Sequence, residues 1–183
     1  HHQNGSCIML QGNVRKLQLV SNVLDSGYYS LSFANNTNGY EDFSIQGNTC
    51  TNFNLASINL KGLKGLNINK NVIRSEYRGK LTGIILENID SIIRVQKNKI
   101  YLLGALTGAN SVIDGFGKRG VELKSVSGNN QQCALVTNNM ISASSNGVSG
   151  QDPVGIFIDG TSSYINVYYN TVRVYAGASD VTK

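Results

Sequence analysis

Gly83-Ile84-Ile85-Leu86-Glu87-Asn88-Ile89-Asp90-Ser91-Ile92-Ile93-Arg94-Val95-Gln96-Lys97-Asn98-Lys99-Ile100 carries the pattern that decides the fold. Ile84 and Leu86 flank Ile85, Ile93 and Val95 flank Arg94, and Ile100 follows Asn98 by two residues. Alternation with a period of two puts successive side chains on opposite faces of a strand. The stretch therefore predicts three short strands, with Asn98 at the corner between the second and the third.

The same order recurs along the chain. Apolar-x-x-Asn-x-apolar appears six times, around Asn22, Asn48, Asn71, Asn98, Asn139 and Asn170, at spacings of 26, 23, 27, 41 and 31 residues. A pair of alternating apolar residues precedes each, namely Ile8/Leu10, Leu31/Phe33, Ile58/Leu60, Ile84/Leu86, Val121/Leu123 and Ile156/Ile158. Gly83, Gly120 and Gly155 open the last three. A second pair sits just before the Asn, from Leu17/Leu19 to Ile165/Val167. Leu24, Cys50, Ile73, Ile100, Ile141 and Val172 follow it and are expected to point inward. One such unit cannot bury its apolar face alone, whereas stacked units share a continuous core. The prediction is an all-β, right-handed parallel β-helix of about six coils, with three short strands per coil and an Asn ladder at one corner. The Asn is expected to take the left-handed backbone region at the corner, which it tolerates better than other non-glycine residues.

The register also assigns the outward residues. On the first strand they are Met9, Ser32, Asn59, Ile85, Glu122 and Phe157, and on the second Gln18, Ser44, Asn67, Arg94, Leu135 and Asn166. On the third they are Asp25, Thr51, Arg74, Tyr101, Ser142 and Arg173. Arg94 beside Glu122 reads as a surface ion pair across coils.

Composition agrees. Of 183 residues 40% are hydrophobic, one is Pro and none is Trp, and no apolar run is long enough to span a membrane. His1 and His2 read as the end of a purification tag and residues 3–6 as linker, leaving 7–183 as one domain, expected to be a segment of a longer protein. Cys7, Cys50 and Cys133 lack metal-type spacing; they read as small buried hydrophobes, with one disulfide plus a free thiol left open.

The alternating triplets and corner Asn, as in Gly83-Ile84-Ile85-Leu86 through Val95-Gln96-Lys97-Asn98-Lys99-Ile100, resemble the right-handed parallel β-helix superfamily of pectate-lyase-like solenoids. Ile165-Asn166-Val167-Tyr168-Tyr169-Asn170-Thr171-Val172 is also similar to repeats in large secreted or surface proteins of Bacteroidota-type bacteria. The resemblance implies a secreted or cell-surface bacterial protein. Its glycosidases carry Asn-Thr-Asp, Asp-Asp, Gly-His-Gly and Arg-Ile-Lys, and its esterases usually a Trp; this chain has none of these. Its lyases work with a Lys or Arg base, an Arg on the uronate carboxylate and sometimes Ca²⁺.

The charges fit that last class best. The net charge is +5, and between Lys61 and Lys99 nine basic residues face three acidic ones. A basic belt suits an anionic polymer. Arg74, Arg78, Lys80, Arg94, Lys97 and Lys99, with Tyr101, form the candidate binding face, and the expected partner is an acidic polysaccharide. No cofactor is expected unless the chain is a lyase, in which case Asp114, Glu122, Asp152 and Asp159 are the candidates to hold Ca²⁺. No nucleic-acid module is present, so nucleic acid is not the expected partner. The leading expectation is a non-catalytic β-helix domain that presents a rigid face to carbohydrate or another partner, or acts as a spacer. The alternative is a polysaccharide lyase or related carbohydrate-active enzyme. Open terminal coils also predict end-to-end self-association.

Overall fold

The computed structural model describes residues 5–11, 14–34, 40–77, 79–103, 116–129, 131–146 and 152–177. Within them sixteen strands follow one another and no helix occurs. The first eight are β1 (Ser6–Leu10), β2 (Gln18–Val20), β3 (Val23–Asp25), β4 (Tyr29–Ala34), β5 (Tyr40–Gln46), β6 (Thr49–Thr51), β7 (Ala56–Asn69) and β8 (Val72–Ser75). The rest are β9 (Leu81–Gln96), β10 (Lys99–Leu102), β11 (Phe116–Ser127), β12 (Ala134–Thr137), β13 (Met140–Asn146), β14 (Asp152–Ile158), β15 (Ile165–Tyr168) and β16 (Thr171–Gly177).

They wind into a parallel β-solenoid with three sides. β1, β4, β7, β9, β11 and β14 stack on the first side, and β3, β6, β8, β10, β13 and β16 on the third. The second side runs β2, β5, β7, β9, β12 and β15, because β7 and β9 are long enough to turn a corner and serve two sides. Each side thus has six strands, which from first to last make about five turns. Every strand pairing is parallel. Among the described residues no helix is long and apolar enough to cross a membrane.

The register follows the alternation. Leu31 pairs with Ile58, Ile58 with Ile84 and Ile84 with Val121, and the third-side column runs Leu24, Cys50, Ile73, Ile100, Ile141 and Val172. These side chains form one continuous core from Leu24 to Ile141, each buried aliphatic contributing roughly 1.5–3 kcal/mol. Cys50 lies buried in its column as a free thiol, and burial raises its pKa. Cys7 and Cys133 are also free thiols, Cys7 at the surface and Cys133 half-buried.

Two features depart from the sequence reading. A further inward column, Leu63, Ile89 and Val126, fills the corner between the first and second sides. Positive φ at Gly62, Asn88 and Ser125 turns the chain there. At the ladder corner, positive φ falls on the residue before each Asn, at Ser21, Gly47, Lys70, Lys97, Asn138 and Tyr169 (φ 55–64°), and not on the Asn. The Asn keeps ordinary backbone angles because its side chain must point inward to bond its neighbours, while the preceding residue makes the bend.

Those bonds repeat at every step. The backbone N–H and the side-chain Nδ2 of Asn71 both donate to Asn98 Oδ1, at 3.0 Å each, while Asn71 Nδ2 also donates to the Ile45 carbonyl at 2.8 Å. The same two donations to Oδ1 link Asn22 to Asn48, Asn48 to Asn71, Asn98 to Asn139 and Asn139 to Asn170. Asn48, Asn71, Asn98 and Asn139 are buried and fully engaged, as buried amides must be.

The glycines that open the later first-side strands have a steric reason. A Cβ on Gly120 would overlap Ile141 Cγ2 and the Gly155 carbonyl oxygen, and a Cβ on Gly155 would overlap Val172 Cγ1. The inward residue of the third side occupies that space, so no side chain fits opposite it.

Candidate binding site

The first side carries a depression. Its outward column runs Met9, Ser32, Asn59, Ile85, Glu122 and Phe157, each paired with the next. A cavity of about 220 Å³ opens beside Ile85 and Glu122, walled by Lys80, Thr82, Arg119 and Lys124. β9 supplies Thr82 and Ile85, and β11 supplies Arg119, Glu122 and Lys124.

Glu122 is only 2% exposed although it points outward. Arg119 Nη1 donates to its Oε1, and Lys124 Nζ donates to the same oxygen at 2.7 Å. A buried carboxylate needs such partners, since an unpaired one would be strongly destabilising. The Arg119 guanidinium also lies 4.4 Å from the centroid of the Phe157 ring on the next coil, a cation–π distance. One carboxylate therefore holds two cations in place, and with Lys80 at the rim the cavity wall carries three positive charges and one negative.

Lys118 lies next to this group but not in the cavity wall. It holds the register position that Leu81 occupies one coil earlier, and it is fully buried. Burial lowers its amine pKa from the ordinary 10.5 to about 8.

Of the described residues expected to form the basic binding face, Lys80 alone lines this cavity; Glu122, weighed for Ca²⁺, lines it too. Arg74 and Tyr101 are neighbours on the third side, and Arg74 Nη2 donates to Glu76 at 2.6 Å. Lys97 and Lys99 are exposed on either side of Asn98 at the ladder corner. Arg94 faces outward on the second side between Asn67 and Leu135. Arg78 lies outside the described residues. The six described ones are thus spread over all three sides and the ladder corner.

The expected pair of Arg94 with Glu122 does not form, because they stand on different sides of the solenoid; Glu122 pairs with Arg119 and Lys124 instead. Both partners sit in Lys118-Arg119-Gly120-Val121-Glu122-Leu123-Lys124. Simple alternation assigns Arg119 inward, but Gly120 meets the third side and breaks the alternation, so Arg119 turns out with Glu122.

Among the described residues the carboxylates weighed for Ca²⁺ do not gather. Asp114 lies outside the described residues. Asp152 opens β14 opposite Phe116. Desolvation pushes the Asp159 carboxyl up, but bonds from the Ser125 N–H, the hydroxyls of Thr161 and Ser162 and the Thr161 N–H outweigh it and hold it below the usual carboxylate range. Among the described residues no three His, Cys, Asp or Glu side chains converge on a metal position.

The chain matches no protein-family model, and no curated protein or solved structure is significantly similar to it.

Proposed function

We propose that this chain is a non-catalytic β-helix domain of a secreted or cell-surface bacterial protein, holding a rigid cationic face against an acidic carbohydrate. The observation that carries the reading is the cavity on the first side, where Glu122 fixes Arg119 and Lys124 beside Lys80. Cations held by a buried carboxylate lose little rotamer freedom on meeting a ligand carboxylate, and Arg suits planar bidentate recognition. The parallel strands beneath make the platform stiff, and Phe157 and Ile85 supply apolar surface for a sugar ring.

One observation favours a lyase instead. An amine whose pKa is near 8, as at Lys118, has a neutral fraction able to take a proton at mildly alkaline pH. Its complete burial argues against a role that requires reaching a sugar carbon.

Titration calorimetry of the purified chain with oligogalacturonate, against a neutral oligosaccharide of equal length, separates these readings. The binding domain is expected to take the acidic ligand only, more weakly as salt rises. Replacing both Lys80 and Lys124 by Ala should weaken binding about tenfold, the equivalent of about 1.4 kcal/mol. Ultraviolet absorbance from a new carbon–carbon double bond would make the chain a lyase. No binding of either sugar would sink the carbohydrate reading and leave the spacer role.

A further inference from the structure

The second side has no part in the cavity, yet its half nearest the ladder corner is strongly polar. Coil by coil, its outward pairs there are Ser44/Gln46, Asn67/Asn69, Arg94/Gln96 and Leu135/Thr137. No carboxylate stands among them. Neighbouring coils lie about 4.8 Å apart, so Asn67 and Asn69 sit directly beside Arg94 and Gln96.

Two acceptors in this group are left over. The Oδ1 atoms of Asn67 and Asn69 are shut off from solvent and accept no hydrogen bond among the described residues. A buried amide oxygen without a donor is destabilising. Turning either amide outward about its Cβ–Cγ bond therefore breaks no bond to that oxygen and lets a ligand supply a donor. Gln96 Nε2 donates to Thr137 Oγ1 at 3.1 Å, which fixes that amide beside Asn69.

The edge of the face adds charge. Gly47, Lys70 and Lys97 stack at the ladder corner, where φ is 64°, 58° and 55°. The Lys70 N–H donates to the Gln96 carbonyl at 3.1 Å and the Lys97 N–H to the Thr137 carbonyl at 3.2 Å, so the column advances one coil at each step. Glycine takes this backbone region freely, as at Gly47, and lysine does not. Two lysines in succession suit the bend poorly, and what they add there is charge. Lys70, Lys97 and Arg94 are exposed and form no ion pair among the described residues. Like charges on adjacent coils repel until an anion lies across them.

We propose that this face is a second site for acidic polysaccharide, separate from the cavity on the first side. Carboxylates of the sugar chain lie against Arg94, Lys97 and Lys70, and its hydroxyls donate to the Asn67 and Asn69 oxygens. Leu135, half-buried next to Arg94, gives a sugar ring an apolar contact. The class of ligand rests on the reading given above for the cavity; the place of the site does not. A domain with sites on two of its walls joins two polymer chains, where the cavity alone would hold one.

The test is titration calorimetry of the whole chain with a short oligogalacturonate at low salt, with circular dichroism to show that each variant is folded. The original chain should take two oligomers. Lys80→Ala with Lys124→Ala should spare the second-side site. Arg94→Gln with Lys97→Gln should spare the cavity and weaken the second-side site about tenfold. Asn67→Ala with Asn69→Ala should weaken that same site about fivefold, the loss of one ordinary hydrogen bond. Long polygalacturonate should turn cloudy with the original chain, through cross-linking, and stay clear with either charge variant. One oligomer per chain, sensitive to Lys80 and Lys124 and indifferent to Arg94 and Lys97, overturns this proposal and keeps the cavity reading. One oligomer sensitive only to Arg94 and Lys97 supports this site and overturns the cavity as the binding place. Binding of no oligomer overturns both.

Discussion

The fourth and sixth coils have nearly the same pattern and very different surroundings. Ile100 and Val172 occupy the same column two steps apart, yet Ile100 is 0% exposed and Val172 45%. Asn98 is buried and bonded toward both neighbouring coils, whereas Asn170 is half-buried and, among the described residues, bonded to the coil before it and to the Tyr168 carbonyl of its own coil. In a solenoid the pattern makes a residue face inward, but the next coil buries it. The stability of a position should therefore depend on how many coils flank it.

The sharpest break of that comparison is Asn98→Ala beside Asn170→Ala, followed by urea denaturation. The first leaves several buried groups unbonded and should cost about 3–5 kcal/mol; the second leaves groups that water can reach and should cost about 1. Equal losses would mean that the last coil is as ordered as the fourth. Next comes Gly120→Ala, which should cost about 2–3 kcal/mol because Ile141 is held on both sides, against less than about 1 for Gly155→Ala, where Val172 can move outward.

Lys118 sharpens the contrast between coils four and five, since Leu81 takes its place one coil earlier. Its lowered pKa means that the unfolded chain binds more protons between about pH 8 and 10.5, so this group's contribution to stability improves as pH rises through that window. Lys118→Leu should stabilise the domain by on the order of 2 kcal/mol near pH 7, allowing for solvent screening, with the gain fading by pH 10. A gain independent of pH would show that shape, not charge, sets the penalty. The smallest effect is Lys97→Gly, which relieves a left-handed lysine and should add about 0.5 kcal/mol in thermal melts.

The three outward columns, the inward pairs and the Asn ladder were legible because a period of two fixes the facing of every strand residue. The corners were not. Whether the bend falls on Lys97 or Asn98 depends on which of them the neighbouring coil needs for its hydrogen bonds, a contact between residues far apart in sequence. Leu63, Ile89 and Val126 were missed because turns interrupt the alternation on either side of them. The cavity was missed for a related reason. The high density of basic residues from Lys61 to Lys99 drew attention to one stretch of chain, but winding spreads it around the solenoid and brings Arg119 and Lys124 to Lys80.

The ladder also separates how long the chain is from how the molecule is built. Asn48 and Asn71 are 23 residues apart and Asn98 and Asn139 are 41, yet both pairs make the same two bonds at 2.9–3.0 Å. A lineage carrying this architecture can lengthen an excursion between coils, or duplicate a whole coil, without disturbing the neighbours. New recognition loops can then be tried one at a time on an inherited frame, as on a rack whose shelves are fixed and whose contents are not.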